Sequence, residues 1–510
     1  MRLTIRITLL VLLSSASFSQ NYTWKYWAKL NYPRRNYPAI NHAVVLDPCR
    51  ILVAGGLTGG SMFTFGQPTR KCEIVNACCP VVTVTGDMVY PRSEHLLLTA
   101  PDSNVIAING MTAITDEGSF YGPVTNTVER YNPATGTWSV IGTTLVARRQ
   151  GQGVFISDNE IFIVGGRLAD LSTLSSAEIF NTTTGTSTAV ASVPMPINMH
   201  GVARASNGDI LIIAGRNGGT DATRTNYVYR YNRSTNTYTL VSTIPSQVRS
   251  LGLLKMFDGK IIVSGGLITE SGPSIASYIS KETNGTFSSI GNSIYPRWGH
   301  AIGQVQSDSC ILIAGGGASL FTTQSACEWV NVNTSQVTSG PALNRGLASF
   351  NYATVPVQYS SSGVTRGAVF VLGGVNGASE MQAETPSDSV FVLTRSQCKI
   401  PDSLFTSALR DTCSPVVRLW IDSINVCRTP SSVRWVFGDG SSATLSGWST
   451  SHLYTSSGSY TVSATLTYSG CGDSTTLSRT VNFSAPLRIT ASPRTIRFCP
   501  GDSAVILTAT

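Results

Sequence analysis

Seven short apolar segments recur along the chain, and each ends at or next to glycine. They are ILVAGG (51–56), VIAING (105–110), IFIVGG (161–166), ILIIAG (210–215), KIIVSGG (260–266), ILIAGG (311–316) and VFVLGG (369–374). A run of β-branched and aliphatic residues that closes on glycine predicts a buried strand followed by a sharp turn. Successive runs lie about 50 to 58 residues apart, so they define one repeating unit.

Two further features keep the phase of this repeat. After the glycines, alternating strands flank a polar turn, most clearly in VERYNPATGTWSVI (128–141), AEIFNTTTGTSTAV (177–190) and YVYRYNRSTNTYTLV (227–241). These segments predict hairpins. A Pro-Arg-x-x-His segment precedes the apolar run in YPRSEH (90–95) and YPRWGH (295–300), with looser versions in other units. Each unit therefore offers four short strands, and units of this kind stack into a β-propeller.

This order of motifs resembles the kelch repeat, in which Arg-x-x-His, an apolar strand with Gly-Gly, and Tyr and Trp around a hairpin follow one another. The resemblance implies an all-β, seven-bladed kelch-type β-propeller over residues 20–396. Units two and four depart from it, with Asn109-Gly110 and Gly215-Arg216 in place of the glycine pair. The last unit shows only three strands, so we expect YTWKYWAKL (22–30) to supply the fourth and close the ring.

A different pattern follows the repeat. The segments WVFGDGSS (435–442) and SHLYTSSGSYTVSATLTY (451–468) resemble the PKD family pattern, namely Trp-x-Phe-Gly-Asp-Gly, His-x-Tyr and Gly-x-Tyr-x-Val. This resemblance implies an immunoglobulin-like PKD-type β-sandwich over residues 397–485. We expect Trp435, Phe437, Tyr460 and Val462 to lie in its core. Residues 486–510 alternate apolar and polar positions, which predicts the first strands of a further, truncated immunoglobulin-like β-sandwich domain.

The first 19 residues have the features of a secretory signal peptide. Arg2 and Arg6 precede the apolar run ITLLVLL (7–13), and small residues follow it. We therefore expect a secreted or cell-surface protein in an oxidising compartment, where cysteines can pair. The run is too short to span a bilayer and no later stretch approaches the length required, so we expect no transmembrane segment. Surface anchoring through sequence beyond Thr510 is a further expectation.

Composition narrows the classes of partner. Charged residues make up only 13% of the chain, about half the ~25% that is usual, which argues against a disordered or coiled-coil protein. The 36 Lys and Arg against 28 Asp and Glu give a formal net charge of +8. Because no basic run concentrates this charge, nucleic acid is not expected as a partner.

Arginine and histidine at one phase of the repeat are the candidate ligand-binding residues. We predict that they form a ring at the channel mouth, made of Arg92, His95, Arg148, His200, Arg249, Arg297, His300 and Arg345. Such a ring would be a cationic funnel for an acidic glycan or a carboxylate-bearing peptide. The alternative, favoured by the repetition itself, is that these arginines brace neighbouring blades through backbone carbonyls and that the histidines belong to the repeat.

An enzymatic function is the second hypothesis. Galactose oxidase is a seven-bladed propeller with kelch-like repeats, and its family surrounds one copper ion with two histidines, two tyrosines and a cysteine–tyrosine crosslink. Tyr90 and Tyr295 lie near His95 and His300, but no cysteine neighbours them. The histidines at this phase, including His42, fall in different units and cannot all reach one ion. We therefore predict no catalytic residue, no metal site and no cofactor, and we keep a copper oxidase or carbohydrate-active enzyme as the alternative.

Binding is the preferred function. The longest segments after the glycines, 57–71, 111–127 and 375–388, neighbour one another if the ring closes as expected. Loops on a rigid scaffold are where recognition is normally placed. We predict a bacterial exoprotein, secreted or on the cell surface, whose propeller recognises an extracellular protein or glycan through this sector, with the sandwich modules as spacers.

Overall fold

The fold was analysed in a computed structural model. It describes residues 22–36, 40–59, 66–78, 80–115, 121–205, 207–218, 224–268, 278–305, 310–318, 322–347, 350–358, 365–375, 386–395, 404–408, 416–421, 432–467, 474–483, 487–491 and 494–498. Within these ranges every regular element is a β-strand, and none is a helix long and apolar enough to cross a membrane. The predicted signal peptide, residues 1–19, lies outside the described residues.

Seven four-stranded antiparallel sheets form the blades of a propeller. We number the blades along the chain and count the strands of each blade from the central channel outward. Blade 1 has strands Ala43–Asp47, Arg50–Ala54, Cys72–Asn76 and Val82–Val84, and blade 2 has Leu96–Thr99, Val105–Ile108, Thr127–Asn132 and Thr137–Thr143. Blade 3 has Gln152–Phe155, Glu160–Val164, Ala177–Asn181 and Thr186–Val190, and blade 4 has Gly201–Arg204, Ile210–Arg216, Arg224–Asn232 and Thr237–Thr243. Blade 5 has Gly252–Lys255, Ile261–Ser264, Tyr278–Thr283 and Thr286–Asn292, and blade 6 has Ala301–Gln304, Cys310–Ala314, Cys327–Asn331 and Gln336–Ser339.

Blade 7 closes the ring with a strand from the other end of the sequence. Its inner strands are Asn351–Gln358, Thr365–Leu372 and Ser389–Arg395, and the outermost strand is Tyr22–Lys29. The N-terminal strand runs antiparallel to the third, with Tyr22 opposite Arg395 and Lys29 opposite Ser389. The closure predicted from the three-stranded last repeat is therefore present, and the outer edge of the third strand, Ser389–Arg395, is paired.

The hydrophobic core is divided among the seven contacts between blades. Alternate side chains of one strand serve two contacts: Ile161 and Ile163 of blade 3 pack toward blade 2, whereas Phe162 and Val164 pack toward blade 4. Because successive side chains of a strand point to opposite faces, an inner strand with a blade on either side must be apolar throughout. This demand explains the low charge of the sequence.

The region after the propeller contains a two-sheet sandwich and a separate hairpin. One sheet has strands Leu404–Ala408, Val416–Ile421 and Ser449–Leu453, and the other has Ser442–Leu445, Ser432–Val436, Gly458–Thr467 and Ser474–Phe483. Trp435, Phe437 and Val462 are buried in its core, as predicted. Tyr460, also predicted for the core, is only partly buried and stacks on Tyr454 with ring centroids 4.2 Å apart. The hairpin pairs Leu487–Ala491 with Arg494–Phe498.

The Gly-Asp-Gly turn of the sandwich is held by Asp439. Its carboxylate accepts hydrogen bonds from the Ser441 hydroxyl at 2.6 Å, the Ser441 amide at 3.0 Å and His452 Nε2 at 2.6 Å. These bonds, led by that of the Ser441 hydroxyl, lower the pKa of Asp439. The His452 ring in turn stacks on Phe437 with centroids 3.9 Å apart. The motif residues therefore hold the Gly-Asp-Gly turn against the strand Ser449–Leu453.

A disulfide joins Cys49 and Cys78 in blade 1, across a sequence separation of 29 residues. Because the bridge restricts the unfolded chain, we expect the variant Cys49→Ser/Cys78→Ser to lose about 2 kcal/mol of the free energy of unfolding. Urea unfolding with and without dithiothreitol measures this loss. The reductant should destabilise the propeller of the wild-type protein and leave the propeller transition of the double variant unchanged; equal stability of the two propellers without reductant would contradict the prediction.

Candidate functional site

In four blades, an arginine ahead of the first strand reaches a glutamate in the third strand. Arg92 Nη2 lies 2.5 Å from Glu129 Oε1, and its Nη1 donates to the carbonyl of Asn109 at 2.7 Å. The other pairs are Arg34–Glu73 at 2.6 Å, Arg148–Glu178 at 2.5 Å and Arg297–Glu328 at 3.4 Å. These side chains are at most 2% exposed. Each arginine therefore links the start of the first strand of its blade to the glycine turn after the second strand and to the glutamate of the third strand.

The burial of these arginines bears directly on the predicted channel-mouth ring. Arg92, Arg148 and Arg297 point into their blades, where burial lowers the pKa of each guanidinium and the paired glutamate opposes that shift. Their donors bind backbone carbonyls and carboxylates, which are the contacts of the bracing alternative. Ligand binding by these three arginines stays a prediction, and none of the contacts described here supports it.

Arg249 and Arg345 do not occupy this position. A recurring hydrogen bond marks this position. The amide of Gly110, the second turn glycine of blade 2, donates to the carbonyl of Arg148 ahead of blade 3. The equivalent glycine amides of blades 4 and 6 donate to the carbonyls of Val248 and Leu347, so these two residues hold the position ahead of blades 5 and 7. Arg249 follows that position by one residue, with Nη1 3.3 Å from Met199 Sδ. Arg345 precedes it by two residues and donates from Nη2 to two serine hydroxyls, at 2.6 and 2.9 Å. The prediction that all five arginines share one phase was therefore wrong for these two.

The glutamate partner is a functional signal that the sequence reasoning missed. It stands second in CEIVN (72–76), AEIFN (177–181) and CEWVN (327–331), and at the matching place in VERYN (128–132). Blades without the arginine also lack this glutamate, because Tyr229, Ser280 and Phe391 take the paired register position. Matching the two residues unit by unit would have identified the arginines as internal.

The histidines form a second kind of joint, between blades. The rings of His95, His200 and His300 pack over the first glycine of the preceding blade, and a Cβ there would come within 2.8 to 2.9 Å of Cε1. The same histidines line a central cavity of about 280 Å³, together with residues of the first strands. His42 stacks on His95 with centroids 4.1 Å apart. All four imidazoles are buried, and those of His95, His200 and His300 lie in the wall of the central cavity.

Burial keeps these imidazoles neutral. Desolvation, assisted by the charges of Arg34 and Arg148, lowers the pKa of His42 and His200 respectively to about 3. Desolvation and neighbouring positive charge also place the pKa of His95 and His300 well below the usual value. A neutral imidazole in this position cannot add positive charge to a funnel at ordinary pH.

The two repeats that depart from Gly-Gly are explained by this joint. Blade 3 has Gly151 and blade 5 has Leu251 at the position where blades 2, 4 and 6 have the histidine and blade 7 has Phe350. The preceding blades then carry Asn109 and Ala214 in place of the first glycine, with φ of 61° and 52°. The turn of unit four is therefore Ala214–Gly215 and not Gly215–Arg216, which corrects the sequence interpretation by one residue.

This joint predicts a specific steric cost. A Cβ at Gly165 (φ +64°) would lie 2.4 Å from the carbonyl oxygen of Ile197 and 2.9 Å from His200 Cε1. We expect Gly165→Ala to lower the free energy of unfolding by about 2–3 kcal/mol. The control Gly59→Ala has φ +71° but nothing within 4 Å of the new Cβ, so it should cost about 1 kcal/mol. Thermal and urea unfolding compare the two, and equal losses would contradict the steric explanation.

The copper site that the oxidase resemblance requires is not matched by the described residues. Among them, no group of three or more His, Cys, Asp or Glu side chains is placed to hold a metal ion. Tyr90 is 42% exposed, and the ring of Tyr295 lies 5.7 Å from the Arg297 guanidinium. Cys310 and Cys327 are buried in the strands of blade 6. The residue set therefore does not fit a copper ion with a cysteine–tyrosine crosslink.

The loops after the glycines of blades 1 and 2 interlock. Gln67 Nε2 donates to the carbonyl of Ile114 at 3.1 Å, and the Ile114 amide donates back to Gln67 Oε1 at 2.9 Å. A short hairpin, Leu57–Thr58 with Gln67–Pro68, begins the first loop, and Leu57, Met111 and Ile114 form a small buried cluster. We call residues 57–59, 66–71, 85–91, 111–115 and 121–126 the loop platform. Residues 60–65, 116–120 and 376–385 of the predicted sector lie outside the described residues.

Sequence matches to known proteins are consistent with this architecture. The family model described as Kelch motif matches residues 148–194 and 200–245, and the model described as PKD domain matches residues 423–483. A Kelch-like protein, terF, from Aspergillus terreus (strain NIH 2624 / FGSC A1156) is 27% identical over 232 residues, covering 45% of this chain and 50% of the relative. The chain thus spans about half the length of the curated relative that it matches.

A solved structure shares the fold at low sequence identity. It is a fungal alcohol oxidase of the AA5 family in complex with copper, with a TM-score of 0.52 and 13% identity, over 89% of this chain and 99% of that one. Together with the motif matches, the seven blades define the class as kelch-type β-propellers. The chain is a kelch-repeat protein with a PKD domain, and this kind of propeller suggests a binding role.

Proposed function

We propose that the protein is a secreted or cell-surface binding protein whose propeller recognises an extracellular protein or glycan at the loop platform. The observation that carries this proposal is the reciprocal hydrogen bonding between Gln67 and Ile114. Loops that fix each other present a preorganised surface, and preorganisation reduces the entropic cost of binding.

The chemistry of the loop platform fits a polar ligand. Tyr90 and Tyr121 are 42% and 38% exposed, and an exposed tyrosine offers an apolar face and a hydroxyl together. Asp87 lies between two cations, 2.8 Å from Lys71 and 3.4 Å from Arg70. Aromatic faces beside charged hydrogen-bonding groups are typical of surfaces that recognise sugars and protein side chains.

Arrays of glycans and extracellular-matrix proteins, probed with the full chain, test this function. We expect specific binders that are lost in Tyr90→Ala/Tyr121→Ala. The matched control is Tyr227→Ala, because Tyr227 is also 38% exposed but belongs to the third strand of blade 4. Binding that survives the double variant would move the site away from the loop platform. Absence of any binder, combined with stoichiometric copper and oxidation of a sugar, would replace the binding function with an enzymatic one.

A further inference from the structure

The central cavity is lined by the first strands of the seven blades and by residues just before them. Its volume of about 280 Å³ is sufficient for a small molecule, since a cavity of ~150 Å³ already accommodates benzene. None of the described residues that line it has a carboxylate, ammonium or guanidinium group. None of them belongs to the loop platform, so a ligand in this cavity would bind independently of the proposed function.

The wall of the cavity carries backbone hydrogen-bonding groups. The first strand of each blade is an end strand of its sheet, so only one of its edges is paired within the sheet. In blade 4 the amide of Ala205 donates to the carbonyl of Asp209. Because residues of an antiparallel strand alternate between the paired and the free edge, the amide and carbonyl of Val202 lie on the free edge. The same alternation places Gly153 and Leu253 there, and all three residues line the cavity.

Two polar side chains on opposite sides of the channel are available to a ligand. Gln152 and Tyr352 line the cavity from the first strands of blades 3 and 7, which lie across the ring from each other. Both are partly buried. Neither the Gln152 amide nor the Tyr352 hydroxyl forms a hydrogen bond with a residue that the structure describes. A molecule between them therefore finds a hydrogen-bonding group on each wall.

The titratable groups of the lining are uncharged at neutral pH. Burial lowers the pKa of His200 to about 3 and raises the pKa of Tyr352 to about 12. In addition, neither ring nitrogen of His95 or His200 has a hydrogen-bond partner among the described residues. Buried polar atoms without a partner are uncommon in native proteins. This part of the channel is thus suited to an uncharged molecule that is rich in hydrogen-bonding groups.

We propose that the central cavity binds a neutral cyclic polyol, such as a hexose or an inositol, between Gln152 and Tyr352. The hydroxyls of such a ring point outward on all sides, toward the free strand edges that surround the channel. A hydroxyl both donates and accepts, so it matches the amides and carbonyls of these edges. A carboxylate or phosphate would be buried here without a cation, which costs free energy. A hydrocarbon ring would leave the polar groups of the wall unpaired.

Ligand-observed NMR titration of the full chain at pH 7 tests this site. The probes are glucose, galactose and myo-inositol, and the comparison compounds are cyclohexanol and glucuronate. We expect at least one polyol to bind. Cyclohexanol should bind at least about tenfold more weakly, because it leaves polar groups of the wall without partners. Glucuronate should also bind at least about tenfold more weakly, because its carboxylate meets no cation in the lining.

Variants of the lining locate the binding. Gln152→Leu should weaken binding of the polyol at least about tenfold, and Tyr352→Phe at least about threefold, because each removes hydrogen bonds and nearly preserves the size of the side chain. The matched controls are Gln336→Leu and Tyr227→Phe. They change exposed side chains in the outermost strand of blade 6 and the third strand of blade 4 and should leave the affinity unchanged.

The double variant Tyr90→Ala/Tyr121→Ala separates this cavity from the loop platform and should retain polyol binding. Loss of polyol binding in that variant would overturn the proposal. Failure of all three polyols to bind would also overturn it and would leave water as the occupant. So would cyclohexanol or glucuronate binding as tightly as the polyol, or wild-type affinity in both Gln152→Leu and Tyr352→Phe.

Discussion

Lowering the pH from 7 to 5 should cost the propeller about 2 kcal/mol of the free energy of unfolding for each of the buried histidines His42 and His200. An unfolded histidine has a pKa near 6.5, whereas burial lowers the pKa of His42 and His200 to about 3 in the folded protein. Between these values the unfolded chain takes up a proton that the folded protein does not. The stabilisation is therefore complete above about pH 6.5 and is lost as the pH falls toward 3.

His200→Phe isolates one histidine from this effect. Blade 7 already carries Phe350 at the equivalent joint, with its ring 3.2 Å from a Cβ placed on Gly315, so phenylalanine fits the position. We expect the free energy of unfolding in urea, measured at pH 7, 6 and 5, to fall by about 2 kcal/mol less over this range in the variant than in the wild type. His452→Asn, in the sandwich, should leave the propeller transition unchanged. The same slope in His200→Phe and wild type would contradict the prediction.

Glu129→Ala should destabilise the propeller by about 3–5 kcal/mol, because it leaves the charge of Arg92 buried without a partner. Arg92 and Glu129 are both 0% exposed. The carboxylate also accepts hydrogen bonds from the amides of Val89 at 2.7 Å and Tyr90 at 3.1 Å. Loss of one side chain therefore unbalances a charge and strips two backbone donors of their acceptor.

Two comparisons separate charge from packing in this result. Arg92→Met/Glu129→Leu removes both charges and should recover most of the loss, since apolar replacement of a buried pair is often neutral. Asp388→Ala breaks a surface pair, 3.0 Å from Lys29 with side chains 31% and 70% exposed, and should cost less than about 1 kcal/mol. Thermal and denaturant unfolding measure all three. A double variant as unstable as Glu129→Ala would show that packing, and not the buried charge, dominates.

The repeat made the architecture predictable. Glycine turns in register, hairpins at constant spacing and a last unit one strand short were sufficient for seven blades and for closure by Tyr22–Lys29. These features follow from local rules, because turn chemistry and period-two alternation act within a few residues. The position of single residues within the repeat was predicted less accurately. The turn of unit four, for example, is Ala214–Gly215, one residue earlier than the sequence indicated.

The candidate site was less predictable because side-chain direction depends on partners distant in sequence. An arginine before a strand can face solvent or turn inward, and in Arg92 the choice is made by Glu129, 37 residues later. Likewise, the ring of His200 occupies space that Gly165 of another blade leaves open.

The closure of blade 7 also determines where the chain can be cut and rejoined. The first and last segments of the ring lie within one sheet, where Tyr22–Lys29 and Ser389–Arg395 are joined by a ladder of hydrogen bonds with one irregularity between Tyr26 and Ala28. A circular permutant that joins these ends and opens a turn inside another blade would keep an equivalent fastening. One opened in a connection between blades would leave every sheet composed of consecutive strands, with only side-chain packing to hold the ring shut.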